Sequence, residues 1–110
     1  MAATAVAAGR VIRLEVVGDS MLPTLRPGDR LLARPRRRIH PGELVAVPDP
    51  RRPDRLLVKR VEGIIGEEVY LAGDNPAAST DSRTFGTVAR SSVAGQVRWR
   101  YWPPDRAGRL

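Results

Sequence analysis

The apolar positions of this chain fall in short runs, most of them with a repeat of two. In residues 11–17, Ile12, Leu14 and Val16 alternate with Arg13 and Glu15. That is the pattern of a strand with one buried face. Residues 31–33 and 44–47 are short apolar runs bounded by proline, glycine or charge. Residues 56–62 predict another strand, with Leu56, Val58 and Arg60 on one side and Leu57, Lys59 and Val61 on the other. The Gly-Ile-Ile-Gly run at 63–66 reads as a turn into a strand over 69–72, completing a hairpin. A last strand is expected over 96–102, where Val97, Trp99 and Tyr101 alternate with Arg98 and Arg100. Short helical turns are expected near 21–25 and 88–93, and the proline- and arginine-rich run 48–55 reads as an exposed loop. The pattern predicts an all-β fold, a small coiled antiparallel sheet or partly open barrel. One folded domain over 11–102 is expected, with flexible ends at 1–10 and 103–110.

Composition narrows the chemistry. A chain of 110 residues supports a modest core, and its 10 Pro and 10 Gly argue against long helices. There is no cysteine, so disulfides, thiol nucleophiles and cysteine-ligated zinc are excluded. The single histidine, His40, rules out a multi-histidine metal site. It would have to serve any Ser–His–Asp triad from within the basic, proline-flanked stretch Arg36-Arg37-Arg38-Ile39-His40-Pro41. No cofactor or metal is expected. No segment reaches the roughly 20 apolar residues needed to span a bilayer. The uncharged run 1–9 is closed by Arg10 and Arg13 and does not read as a secretory signal. A soluble, cytoplasmic monomer is therefore the expectation, with peripheral membrane contact left open.

The formal net charge is +7. It reads either as attraction for nucleic acid or an anionic membrane, or as a coding bias towards Arg, Ala, Gly and Pro, and the bias is the favoured reading. Of the 19 basic residues, Lys59 alone is lysine. Lysine can lose its proton inside a protein, whereas arginine effectively cannot.

Ser20 follows the first strand in a Gly-Asp-Ser turn, which can lift a hydroxyl off a sheet and expose backbone N–H groups able to bind an oxyanion. A serine needs a base to become a nucleophile. Lys59, between Leu57 and Val61 on its own face, can be that base, because burial disfavours the ammonium form. Plainer readings stand beside this one: Ser20 as a turn and helix cap, and Lys59 as a snorkelling strand residue.

Three segments, in order, resemble the signal peptidase I family of serine/lysine peptidases. Ser20-Met21-Leu22-Pro23-Thr24-Leu25 with Gly28-Asp29 is similar to its nucleophile motif. Lys59-Arg60-Val61 is similar to its lysine motif. Gly73-Asp74-Asn75, then Ser79-Thr80-Asp81-Ser82-Arg83 and Phe85-Gly86, is similar to its C-terminal motif.

The resemblance implies a fold of the signal peptidase catalytic-core type and a set of roles. Ser20 attacks the scissile carbonyl, and Lys59 acts as general base. Ser79 orients the lysine, and the Ser20 backbone N–H is an oxyanion donor. Some members place a serine two residues before the nucleophile as a second donor, where this chain has Gly18. Met21 lines the substrate pocket. Asp81 and Arg83 form a bracing ion pair, and Asp74 and Asn75 shape the turn into the site. The implied partner is a protein substrate, a propeptide or leader with small residues before the cut, bound as an added strand.

Family members usually carry an N-terminal membrane anchor, and many carry a large insertion after the lysine. Lys59 to Gly73 here leaves room for a single hairpin. The compact form resembles a short soluble branch that trims the nickel superoxide dismutase precursor. The self-cleaving repressors share the serine and lysine, but need a DNA-binding domain upstream, and 19 residues precede Ser20. The rival expectation is a non-catalytic basic β-barrel binding nucleic acid or acidic partners through Arg34, Arg36, Arg37 and Arg38. A solvated loop face is the favoured account of that cluster, no nucleic acid is expected, and His40 has no assigned role.

Overall fold

The computed structural model describes residues 5–8, 11–35, 38–79 and 82–110. Among these, nine strands make one antiparallel sheet. They are β1 (Ala5–Ala8), β2 (Val11–Glu15), β3 (Arg30–Arg34), β4 (Leu44–Asp49), β5 (Arg52–Ile65), β6 (Glu68–Ala72), β7 (Val88–Ala89), β8 (Gly95–Trp102) and β9 (Gly108–Arg109). The order is β1-β2-β3-β8-β4-β5-β6-β7, an open path, with β9 added on β8. Among the described residues the one α-helical element is a single turn, α1 (Ser82–Phe85). The all-β, partly open sheet expected from the alternating pattern is the fold observed.

The centre of the sheet is buried on both faces. Leu44 and Ala46 of β4 and Val58 of β5 enter a core with Leu14, Val16, Met21, Leu25, Leu31 and Val97. Val45 and Val47 of β4 and Leu57 and Val61 of β5 enter a second core with Ile39, Val69, Leu71 and Val88. A strand between two cores has no polar face, which is why 44–47 is a continuous apolar run rather than an alternating one.

Two connections differ from the sequence reading. The run 48–55 is not a loop, because β4 continues to Asp49 and β5 starts at Arg52. The cause is a buried carboxylate. Asp49 accepts hydrogen bonds from the Arg51 amide at 2.9 Å and the Arg55 guanidinium at 2.7 Å. These clamp a tight turn that the side-chain sequence disguises as solvated. The hairpin after β5 turns later than expected. β5 runs on to Ile65, with a register shift between Val61 and Gly63. The turn falls at Gly66, whose φ of +60° suits glycine. Near the two ends, β1 pairs with β2 and β9 with β8. The Leu110 amide donates to the Arg98 carbonyl at 2.8 Å, and its side chain packs on the first core.

Burial pushes the Asp49 carboxyl up, but the hydrogen bonds from Arg55 and Arg51 outweigh it and hold the group at about 2, against an ordinary 3.8. A depressed carboxyl contributes stability that is complete above its ordinary value and is lost as pH falls through its folded value. Urea titrations are therefore expected to show Asp49→Asn less stable than the parent at pH 6 by about 2 kcal/mol. The gap narrows as the pH falls from about 4 towards 2. A gap unchanged across that range means the charge is not what holds this turn.

Candidate active site

The loop 16–29 between β2 and β3 is closed at its base. The Val16 amide donates to the Asp29 carbonyl and the Gly28 amide to the Val16 carbonyl, each at 2.8 Å. Gly18 takes a φ of +86°, which turns the chain out of β2. One helical turn follows, with the Leu25 amide donating to the Met21 carbonyl at 2.9 Å. Met21 and Leu25 anchor this turn by inserting fully into the first core. Asp29 pins the far end. Its buried carboxylate accepts from the Arg26 amide at 2.9 Å, Arg100 at 3.2 Å and Arg106 at 2.5 Å. Ser20, at the middle of this held loop, is 1% exposed, and its hydroxyl has no hydrogen-bond partner among the described residues. A buried hydroxyl without a partner calls for an explanation.

Lys59 lies opposite Val45 at the centre of β5 and is 0% exposed. Leu57 and Val61 flank it on the same face, as the alternation predicts, and both are buried. Its Nζ donates to Ser79 Oγ at 2.9 Å. Removing an amine from water disfavours its charged form, and a hydroxyl acceptor replaces part of the lost hydration.

The segment after β6 ties these two regions together. The Asn75 amide donates to the Ser20 carbonyl at 2.9 Å, and its side-chain Nδ2 to the Asp19 carbonyl at 3.1 Å. The Asp74 amide donates to Met21 Sδ at 3.5 Å. The Asp74 carboxylate accepts from Thr24 Oγ1 at 2.5 Å and takes a two-pronged contact from Arg60, at 2.9 and 2.8 Å. Arg60 also donates to the Gly42 carbonyl at 2.7 Å. Asp74 thus joins the serine loop to the strand that carries Lys59. The hydrogen bond from Arg60 holds its carboxyl below the ordinary 3.8, with Thr24 and the Arg60 charge adding to it and burial opposing. Its contribution to stability is therefore complete above the ordinary carboxyl value and is lost as the pH falls through the lower folded value.

Gly73 makes the junction sterically feasible. A Cβ there would lie 2.0 Å from Ser79 Oγ, 2.5 Å from Ser79 Cβ and 2.8 Å from the Ser20 carbonyl oxygen. The side chain that holds Lys59 and the backbone of Ser20 crowd the same point.

Of the residues singled out in the sequence, Ser20, Lys59, Ser79, Asp74 and Asn75 come together here. Met21, expected to line a substrate pocket, is buried in the core at 0% exposure, with its sulfur turned to Asp74. Arg83 donates to the Pro76 carbonyl at 3.3 Å. Asp81, its expected ion-pair partner, lies outside the described residues, as do Arg36 and Arg37. His40 is exposed, with its Nδ1 3.5 Å from Glu43. Thr24, Arg60 and Gly73 stand inside the three motifs but were not assigned roles. The signal available for Arg60 was its place beside Lys59 on the opposite face of one strand, aimed at the same turn. Among the described residues, no group of three or more His, Asp or Glu could hold a metal ion. No helix of the described residues is long and apolar enough to cross a membrane.

The sequence has relatives of known class. The Peptidase S24-like family model matches residues 1–97, and the chain belongs to that family, a signal peptidase I-like group of peptidases. It is 37% identical to the mitochondrial ATP-independent inner membrane protease subunit 1a of Arabidopsis thaliana, over 86% of this chain and 73% of that protein. It is 32% identical to the mitochondrial inner membrane protease subunit 1 of Xenopus tropicalis, over 84% and 70%. It is 31% identical to subunit 2 from Danio rerio, over 86% and 66%.

Gly73→Ala is expected to cost about 1–3 kcal/mol in denaturant melts, because the methyl must displace Ser79 or the Ser20 backbone. Gly63→Ala, where a Cβ meets nothing within 4 Å, is the matched comparison and is expected to be milder. Equal costs at the two positions would show that Gly73 is not a packing constraint.

Proposed function

We propose that this peptidase is a serine endopeptidase in which Ser20 is the nucleophile and Lys59 the general base. One observation carries the reading: a fully buried lysine amine, bonded to Ser79 at 2.9 Å, shares a tight junction with a serine whose buried hydroxyl has no partner among the described residues. Both oddities are accounted for together if the hydroxyl is kept for a substrate carbonyl and the amine for its proton.

In this reading, neutral Lys59 takes the proton from Ser20 Oγ as that oxygen attacks the scissile carbonyl. The oxyanion is received by the Ser20 backbone N–H, since Gly18 offers no side-chain donor. Lys59 then gives its proton to the leaving amine, the C–N bond breaks, and an acyl-enzyme remains. Water, deprotonated by Lys59, releases the product acid and regenerates the serine. Ser79 orients the amine. Asp74, with Thr24 and Arg60, keeps loop and strand in register.

The substrate we propose is a protein bearing an N-terminal propeptide or leader with small residues before the cut, bound in extended form. The nickel superoxide dismutase precursor is one such candidate. The names of the relatives support a second aspect, work at a membrane and within a subunit assembly.

The test is cleavage of a leader-bearing substrate. Ser20→Ala and Lys59→Met are each expected to lower kcat by about 10³-fold or more, with circular dichroism unchanged. Lys59→Arg, which keeps the charge but cannot act as base, is expected to be equally inactive. Turnover retained in Lys59→Arg would overturn the assignment. Activity is also expected to rise with pH as Lys59 loses its proton, at a midpoint below that of lysine in water.

A further inference from the structure

The loop that carries Ser20 is gripped by residues from the end of the chain. After β8 the chain makes one short 3₁₀ turn, Pro104–Arg106, and returns as β9, which pairs Gly108 with Arg100. The Leu110 amide fastens this strap to the Arg98 carbonyl at 2.8 Å. Two arginines reach from strap and strand to the serine loop. Arg106 Nη2 donates to Asp29 Oδ2 at 2.5 Å, and Arg100 Nη1 to the same oxygen at 3.2 Å. The two are also joined to each other, since Arg100 Nε donates to the Arg106 carbonyl at 2.6 Å. Arg100 Nη1 has a second acceptor in the loop, the Thr24 carbonyl at 3.0 Å.

Thr24 is thereby held at two atoms, its carbonyl by Arg100 and its hydroxyl by Asp74 at 2.5 Å. Between Thr24 and Ser20 lies the one helical turn closed by the Leu22 amide on the Asp19 carbonyl and the Leu25 amide on the Met21 carbonyl. So short a turn moves as a unit, and a shift at Thr24 is passed on to Ser20 rather than absorbed. Attack on a carbonyl is sensitive to such shifts: a misplacement of about 1 Å can cost about 10²-fold in rate. Asp29 is 1% exposed, and a buried carboxylate must keep its cations. Without Arg106, Arg100 Nη1 alone serves both the Asp29 carboxylate and the Thr24 carbonyl. The charged acceptor makes the stronger hydrogen bond, so the carbonyl is the one released.

We propose that Arg106 and Arg100 are positioning residues for the reaction. Arg106 satisfies Asp29 and so leaves Arg100 free to hold Thr24, and the strap 103–110 in this way sets the place of Ser20. The effect on rate rests on the assignment of Ser20 and Lys59 above, whereas the effect on the loop stands without it. The brace comes entirely from residues beyond 97, where the match to the family model ends. It acts on the serine side of the junction alone: the Lys59 amine has its own partner in Ser79. Loss of the brace therefore misplaces the nucleophile and leaves the ionisation of the base as it was.

The test compares the full chain with Arg106→Ala and Arg106→Lys on a reporter peptide with alanine before the scissile bond. The temperature is one at which circular dichroism shows every variant folded. Arg106→Ala is expected to lower kcat about tenfold or more, with KM and the pH midpoint of the rate little changed. Arg106→Lys, which keeps a cation for Asp29, is expected to retain more of the rate. Millimolar ethylguanidinium is expected to restore part of the kcat of Arg106→Ala, and ethylammonium at the same ionic strength to restore less. A residue that only stabilised the fold would leave kcat per folded molecule unchanged, and ethylguanidinium would then move the thermal midpoint alone. Hydrogen exchange reads the loop without any substrate. In Arg106→Ala the Leu25 and Gly28 amides are expected to exchange about tenfold faster, with the Val61 amide of β5 unchanged. Unaltered exchange at Leu25 overturns the proposal whatever the activity does. So does an unaltered kcat, or a loss that ethylguanidinium fails to restore. Activity surviving in Ser20→Ala would instead remove the Ser20 assignment, and exchange at Leu25 then decides the brace by itself.

Discussion

An amine at the centre of a sheet loses its hydration and must be given something in return, and the surroundings of Lys59 are organised around that cost. β5 could carry an apolar residue at this position and pack as well against Val45. Instead the fold bends a polar segment, 73–79, beneath the strand so that Ser79 receives the amine. That segment must approach so closely that only glycine fits at position 73. It must also be held against the serine loop, which is the work of Asn75 on the Ser20 and Asp19 carbonyls.

Asp74 makes the arrangement cooperative. Its one carboxylate serves Thr24 on the serine loop and Arg60 on β5, and Arg60 reaches on to the Gly42 carbonyl before β4. Arg60 and Lys59 are neighbours on opposite faces of one strand, so the charge that locks the strand and the amine that faces Ser79 cannot move separately. A second carboxylate, Asp29, does the same at the other end of the loop through Arg100 and Arg106. Both carboxylates are matched by arginine, whose forked guanidinium can hold two acceptors at once.

The alternating pattern made much of this legible. Lys59, Leu57 and Val61 share a buried face as the period of two requires, and the strands at 11–17, 31–33, 44–47 and 96–102 lie where the apolar runs place them. The three motifs named most residues that meet at the junction. What escaped depends on which side chains are buried and whom they meet, which the linear pattern does not display. The run 48–55 reads as solvent-facing until Asp49 is seen gathering Arg51 and Arg55. Met21 stands beside the serine in the chain, yet its side chain belongs to the core. The pairing of 108–109 rests on few residues, and it is held by Arg106 on Asp29 and Leu110 on the first core rather than by any local pattern.

The contacts that assemble the junction join residues far apart in the chain: 50 apart for Thr24 and Asp74, 53 for Asp74 and Met21, 56 for Asn75 and Asp19. The brace of Arg106 on Asp29 spans 77. Such long loops close late in folding. A chain that has not yet brought these segments together has neither Ser79 placed to receive the Lys59 amine nor Asn75 placed on the Ser20 carbonyl. The same topology that brings the 73–79 segment against the serine loop therefore makes this junction a property of the completed fold rather than of any one stretch of chain.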